Sequence, residues 1–255
     1  MADILSSIEG GVATVTLNRP VQRNSVTYGM WREIGDVFGQ LDQDRTVRSI
    51  ILTGEAGDFS AGADIAEFAS TRGDKMQSVA YEEAVDYGCA AIAGAGKPVI
   101  AAVQGYCLGG GAHLAMSCDF RFSHPQAIFG VPAAKLSIVY GVQATRKLAA
   151  LVGLTQAKHI LYSSERFDAA RALEIGFVDR IADDPLEAAR DYAAKLAAGA
   201  PLTIAGAKYI LNGASFCSFD PAEANRLIDF ASASSDYVEG RAAFAEKRLP
   251  RFTGA

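Results

Sequence analysis

The chain has 255 residues, half of them hydrophobic, with 24 basic against 29 acidic side chains and a formal charge of −5. That length suits one large domain or one plus an appendage, and the apolar share supplies a real core, which excludes disorder, collagen and coiled coil. The acidic balance offers no global field for DNA or RNA, so no nucleic-acid partner is expected.

Residues 12–17 (VATVTL) alternate Ala13, Val15 and Leu17 against threonines, which predicts a strand with one buried face. Residues 27–42 place Met30, Ile34, Val37, Phe38 and Leu41 at helical spacing. SIILT at 49–53 reads as a short buried strand ending at Gly54. The pattern repeats with a helix around 76–93, a strand at 98–104 (PVIAAVQ), a helix from the triple glycine, and a strand at 119–123 (DFRFS). Strands alternating with helices argue for an α/β fold with parallel crossovers. Alanine then rises after Phe167, and segments 185–198, 201–211 and 221–233 each begin with a proline that can open a helix. The expected organisation is a core over 1–195 and a helical region over 196–255, packed together because no linker composition separates them.

Residues 98–118 lack Asp, Glu, Lys and Arg and are long enough to span a bilayer. Gln104, His113 and four glycines make a buried strand, tight turn and buried helix the better reading, so no membrane partner is expected. Residues 1–10 carry neither a basic nor an apolar leader region, which predicts a cytoplasmic protein. Cys89, Cys107, Cys118 and Cys217 show no CxxC spacing and read as small buried thiols where the surroundings are apolar. A nucleophile elbow, Walker A loop, dinucleotide fingerprint and HExxH helix are all absent from the sequence. Three histidines, His113, His124 and His159, leave little for a His-based site, and no metal is expected.

Two Gly/Ala-rich turns remain, each after a predicted strand: Phe59-Ser60-Ala61-Gly62-Ala63-Asp64-Ile65 and Gly105-Tyr106-Cys107-Leu108-Gly109-Gly110-Gly111. Small residues let backbone approach a ligand, and free N–H groups at a helix start bind negative charge. Two such groups converging would form an oxyanion hole; the alternative is that the glycines serve tight turns or close helix packing.

Along nearly its whole length the chain resembles the crotonase, or enoyl-CoA hydratase/isomerase, superfamily. The matching motifs are NRPVQRNSVT (18–27), SAGADI (60–65), KPVIAAVQGYCLGGG (97–111), SCDFRFS (117–123) and EGRAAFAEKRLPRF near the end. The resemblance implies a β/α spiral core, C-terminal helices that drive a homotrimer or dimer of trimers, and an acyl-CoA thioester as substrate with no further cofactor. Carried over, the backbone N–H groups of Ala63 and Gly110 hold the thioester oxygen, each such donor being worth ~3–4 kcal/mol of barrier. Ala61, Asp64, Ile65 and the Arg23-Asn24-Ser25 turn match positions lining CoA. Tyr106, Leu108, Gly109, Pro132, Ala133 and Leu136 match substrate-lining positions. Phe244 and Lys247 match a C-terminal pair that reaches the nucleotide end, with interface packing for Phe244 and a solvated helix charge for Lys247 as the alternatives.

The resemblance fails at the acids. Hydratases of this family use two glutamates, and the matching positions here are His113 and Ala133. No Asp or Glu occurs from Phe120 through Ser164, where related isomerases keep acids and this chain has Tyr140-Gly141. The usual paired-carboxylate route therefore needs an acid from elsewhere, such as Glu67, Glu82 or Glu83. His113 is a candidate acid/base, or else a core histidine. Tyr140 matches a tyrosine of decarboxylase-like members, where it orients a carboxylate or protonates an enolate, or else it is a pocket wall; the histidine of that decarboxylase's AGxD loop is Ala63 here. Lys135 and Ser137 read as exposed turn residues. Three readings stay open: an enoyl-CoA hydratase-like enzyme, an acyl-CoA decarboxylase or thioester hydrolase, and a non-catalytic acyl-CoA binder.

Overall fold

The computed structural model describes residues 2–136, 138–216 and 220–255, with the side chains of Phe216, Pro221, Ala224, Phe244 and Ala245 outside that description. Cys217 and Ser137 lie outside the described residues. Strand β1 (Ile4–Glu9) pairs antiparallel with β2 (Val12–Leu17) across Gly10-Gly11. Helix α1 (Tyr28–Gln43) follows, capped by the Thr27 hydroxyl, which accepts from Met30 N at 3.2 Å. Then come β3 (Ser49–Gly54), the short α2 (Phe68–Thr71), α3 (Lys75–Gly94), β4 (Val99–Val103), β5 (Tyr106–Leu108) and α4 (Gly110–Ser117). The next elements are β6 (Phe120–Ser123), β7 (Ile128–Gly130), α5 (Val142–Ser163), β8 (Phe167–Asp168), α6 (Ala169–Glu174) and β9 (Arg180–Ile181). Helices α7 (Pro185–Ala197), α8 (Pro201–Phe216), α9 (Pro221–Ser232) and α10 (Ser235–Glu246) complete the chain.

Among the described residues the main sheet has the order β1-β2-β3-β4-β6-β9, and every pairing except β1–β2 is parallel. A second sheet has the order β5-β7-β8. Strands β3 and β4 are buried on both faces, and their side chains divide by parity. Ile50, Leu52, Val99, Ala101 and Val103 join the main core with Trp31, Ile34 and Phe38 of α1 and Ile92 of α3. Ile51, Ile100 and Ala102 face the other way, onto Ala188, Ala189 and Ala193 of α7. Fully burying one such aliphatic side chain contributes roughly 1.5–3 kcal/mol, so the parallel strands are held from both sides. The α/β reading and the strands read at β2, β3, β4 and β6 stand. The short strands of the second sheet, β1, β9, and helices α2, α5 and α6 lie outside the elements expected from sequence, while α8, α9 and α10 fall in the region expected to be helical.

Candidate active site

The two Gly/Ala-rich turns meet at the edges of these strands. A bridge joins Val26 to Ala63 and another joins Ser60 to Cys107, so the 60–65 turn is laced between the start of α1 and β5. Ser60 N donates to Tyr106 O at 2.8 Å, Ala61 N to Arg23 O at 2.9 Å, and Gly62 N to the Ser60 hydroxyl at 3.1 Å. Asp64 N donates to Val26 O at 2.9 Å, while Ala63 N has no acceptor among the described residues. On the facing turn, Leu108 N and Gly109 N donate to Ser60 O and Gly130 O. Gly110 N, at the first position of α4, has no acceptor among the described residues, as the start of a helix dictates.

These two amide nitrogens lie close together. A methyl built on Gly110 would lie 3.2 Å from Ala63 N, and one built on Gly62 would lie 3.3 Å from Gly110 N. Gly62 has φ +102° and that methyl would also press to 2.7 Å of Leu108 O, so glycine is required there for backbone shape and for space. Convergent N–H groups at a helix start are suited to an oxyanion.

The peptide that carries Gly110 N–H has Gly109 C=O at its other end. That oxygen accepts from the Tyr140 hydroxyl at 3.0 Å and from His113 N at 3.0 Å. Burial pushes the Tyr140 phenol well above its ordinary pKa, with the nearby Cys89, Cys107 and Glu82 acting in the same direction, so Tyr140 keeps its proton. Hydrogen bonds to the carbonyl polarise the amide and strengthen its N–H as a donor.

The amides open onto a cleft of about 720 Å³, mouth included. Ala61, Ala63, Ile65, Gly109, Gly110, Pro132, Ala133, Leu136 and Tyr140 all line it, as do Trp31, Phe68, Arg72, Tyr81, Glu82 and Val85, of which only Glu82 was named from sequence. The Trp31 indole donates to the Tyr81 hydroxyl at 3.1 Å and stands 2.9 Å from where a Gly110 methyl would be. Arg72 lies 4.9 Å from the Tyr81 ring centre and 5.1 Å from that of Phe68, and its guanidinium meets Glu82 Oε1 at 2.5 Å. Phe68 and Arg72 stand four residues apart, the one local signal that they share a face. Trp31 at a helical apolar position reads only as core.

His113 occupies a different place from its expected one. Its ring is 3% exposed and does not line the cleft, although its centroid is 6.0 Å from that of Tyr140. Burial, with Lys147 adding to it, lowers its pKa to about 3, and Nε2 has no partner among the described residues. The imidazole is thus neutral and walled off, which weighs against an acid/base role. The Asp64 carboxylate is also engaged, accepting from Arg19 Nη1 at 2.8 Å and from Ala66 N at 3.1 Å. Arg23 lies over one part of a separate aromatic–basic cluster, 4.8 Å from the Tyr106 ring centre, with Arg166 at 5.3 Å. Ser25 and Leu108 are buried off the cleft, Lys247 is exposed with φ +55°, and the Phe244 side chain lies outside the description. Of the other carboxylates considered, Glu67 accepts from Tyr28 N at 2.9 Å and Glu83 is exposed. Among the described residues no cluster of three or more His, Cys, Asp or Glu could hold a metal, and no helix is long and apolar enough to cross a membrane.

Known proteins match this chain over nearly its whole length. The family profile described as "Enoyl-CoA hydratase/isomerase" matches residues 7–255. A short-chain-enoyl-CoA hydratase of Clostridium acetobutylicum is 34% identical, covering 96% of this chain and 95% of its own. Among solved structures, an enoyl-CoA hydratase/carnithine racemase from Magnetospirillum magneticum superposes with TM-score 0.93 at 35% identity, covering 100% of this chain and 97% of that one. An enoyl-CoA hydratase from Bacillus anthracis gives TM-score 0.89 at 30% identity with both chains fully covered.

Proposed function

The chain belongs to the enoyl-CoA hydratase/isomerase family, with the crotonase α/β fold, and we propose that it is an acyl-CoA enzyme whose Ala63 and Gly110 amides hold a thioester oxygen. The single observation that supports this is the pair of neighbouring N–H groups, without acceptors among the described residues, in the wall of an apolar cleft. Negative charge building on the thioester oxygen as an enolate forms would be met by donors already in position, so little reorganisation is needed during reaction. CoA is part of the substrate, and no further cofactor enters the reading. The usual pair of glutamates is replaced by His113 and Ala133, so the proton chemistry takes another route.

Decarboxylation is disfavoured by the charge in the cleft. Arg72, the only guanidinium among the described lining residues, is already paired with Glu82. A second carboxylate on the substrate would meet Glu82 as a like charge. The outer faces of the C-terminal helices expose Leu211, Ile228, Phe230, Tyr237 and Val238, and we assign them to a homotrimer or a dimer of trimers.

The test is chromatographically resolved mass-spectrometric product analysis, which separates enoyl isomers of equal mass, with enoyl-, 3-hydroxyacyl-, methylmalonyl- and saturated acyl-CoA esters. Conversion of an uncharged enoyl ester is the expected result. Loss of CO2 or release of free CoA would move the reading to the decarboxylase or hydrolase branch, and binding without product would make the protein an acyl-CoA binder.

A further inference from the structure

We propose that Glu82, held by Arg72, is the group that moves the proton on and off the acyl chain, taking the place of the acids missing at His113 and Ala133; this rests on the acyl-CoA reading above. Glu82 is the only carboxylate among the described residues lining the cleft. It comes from α3, a different element from either position where the family resemblance puts an acid. Its Oε1 is fixed on Arg72 at 2.5 Å, and Arg72 is itself fixed against the Phe68 and Tyr81 rings. Its Oε2 faces the opposite wall, 3.6 Å from where a methyl on Gly141 would sit, beside Tyr140. One oxygen is thus used for positioning and the other is left toward the cleft.

The chemistry follows from there being one carboxylate. Two are needed to hold and split a water between them, whereas one can take a proton from a carbon and return it to another carbon of the same chain. The reaction assigned is the allylic shift of an enoyl-CoA thioester. Glu82 carboxylate takes a proton from Cα of a 3-enoyl chain, and the C–H electron pair moves into the conjugated enolate whose oxygen rests on the Ala63 and Gly110 amides. The carboxylic acid then gives the same proton to Cγ, the enolate electrons return through the chain, and the 2-enoyl thioester forms with Glu82 regenerated. No water, oxidant or other reactant is consumed. Tyr81 and Tyr140 are both held protonated by burial, so neither competes as the base.

Arg72 is a positioning residue, because it keeps Oε2 directed at the cleft without itself contacting the reacting carbons in this scheme. The experiment follows conversion of a 3-enoyl-CoA to its 2-enoyl isomer by wild type, Glu82→Gln, Glu82→Ala, Arg72→Gln and Arg72→Lys, with binding of a saturated acyl-CoA measured calorimetrically on each. Glu82→Gln is expected to lower kcat by about a hundredfold or more with KM and acyl-CoA binding nearly unchanged. Added acetate or formate is expected to restore part of the Glu82→Ala rate, which a purely structural role would not allow. Arg72→Gln lowers kcat more than it changes KM, and Arg72→Lys recovers most of it. Wild-type isomerisation matched by Glu82→Gln would overturn the assignment of Glu82 while leaving the oxyanion reading intact. Absence of acetate rescue with all binding retained would also count against it. A wild-type protein that converts no enoyl-CoA ester would overturn both.

Discussion

Replacing His113 by Leu separates a buried histidine from a catalytic one. The ring is 3% exposed, Nε2 is unpartnered among the described residues, and burial, assisted by Lys147, lowers the pKa from 6.5 to about 3. Above pH 6.5 the imidazole is neutral in both the folded and unfolded chain and adds no pH dependence. As the pH falls below that, the unfolded chain takes up a proton that the fold refuses, so stability is lost progressively until the folded group itself titrates. At 1.36 kcal/mol per unit, the loss reaches about 3 kcal/mol by about pH 4.5 and about 5 kcal/mol in full. His113→Leu removes that loss. Urea unfolding of the two proteins at neutral pH and at about pH 4.5 should therefore diverge by about 3 kcal/mol in favour of the variant at the lower pH. At neutral pH the variant should equal wild type or exceed it by about 1 kcal/mol, since the buried Nε2 makes no hydrogen bond among the described residues. Turnover should stay within about threefold, because a neutral ring off the cleft moves no substrate proton. Parallel acid sensitivity in wild type and variant would refute the burial argument, and a hundredfold loss of kcat at unchanged KM would restore His113 as an acid/base.

Four further outcomes follow from the same geometry. Gly110→Ala puts a methyl 2.9 Å from the Trp31 ring and 3.2 Å from Ala63 N; kcat should fall by about 10²–10³-fold with an overpacking cost of about 1–3 kcal/mol. Gly39→Ala, at an α1 position where an added methyl meets nothing within 4 Å, should instead stabilise by about 0.5–1 kcal/mol with full activity, and equal behaviour of the two variants would refute the site assignment. Tyr140→Phe removes one of two donors to Gly109 O while His113 N–H remains; kcat should drop roughly threefold to tenfold at constant KM, with the carbonyl stretch of a bound thioester shifting upward, and an unmoved stretch would refute the polarisation argument. Light scattering should give three or six times the 26.8 kDa chain mass, and a monomer would refute the role given to the exposed apolar faces of α8–α10.

What the sequence disclosed was set by element length and environment. Strands β3 and β4 were legible because burial on both faces makes them unbroken apolar runs, and β2 because Ala13, Val15 and Leu17 alternate with threonines. Strand β1 was missed because five of its six residues are exposed and its three apolar residues, Ile4, Leu5 and Ile8, do not alternate with polar ones; the Gly10-Gly11 turn that pairs it with β2 was its only local signal. Strands β5, β7, β8 and β9 have three residues or fewer, too short for any periodicity. In the site, the glycines announced a close approach of backbone, yet the direction of each free N–H depended on which neighbours were already paired. Glu82 could be named but not separated from Glu67 and Glu83, since only the fold shows one capping α1, one in solvent and one in the cleft. Arg72, Trp31 and Tyr81 converge from three different helices or their neighbours, a coincidence no local pattern encodes.

The charge balance of the cleft ties these pieces to one kind of substrate. Its single cation and single anion among the described lining residues are paired with each other, and its tyrosines keep their protons. The unsatisfied polarity that remains at the head of the cleft is the positive end of two backbone amides, one of them borne by a peptide whose carbonyl takes two hydrogen bonds. A ligand already carrying a carboxylate on its acyl chain would meet Glu82 as a like charge, with Arg72 already engaged by Glu82. In the proposed reaction a neutral acyl chain meets no such repulsion, and negative charge reaches the thioester oxygen only as a proton leaves carbon. In the proposed reaction the site is complementary to a charge that appears during reaction, the condition under which binding energy lowers a barrier instead of merely tightening the ground state.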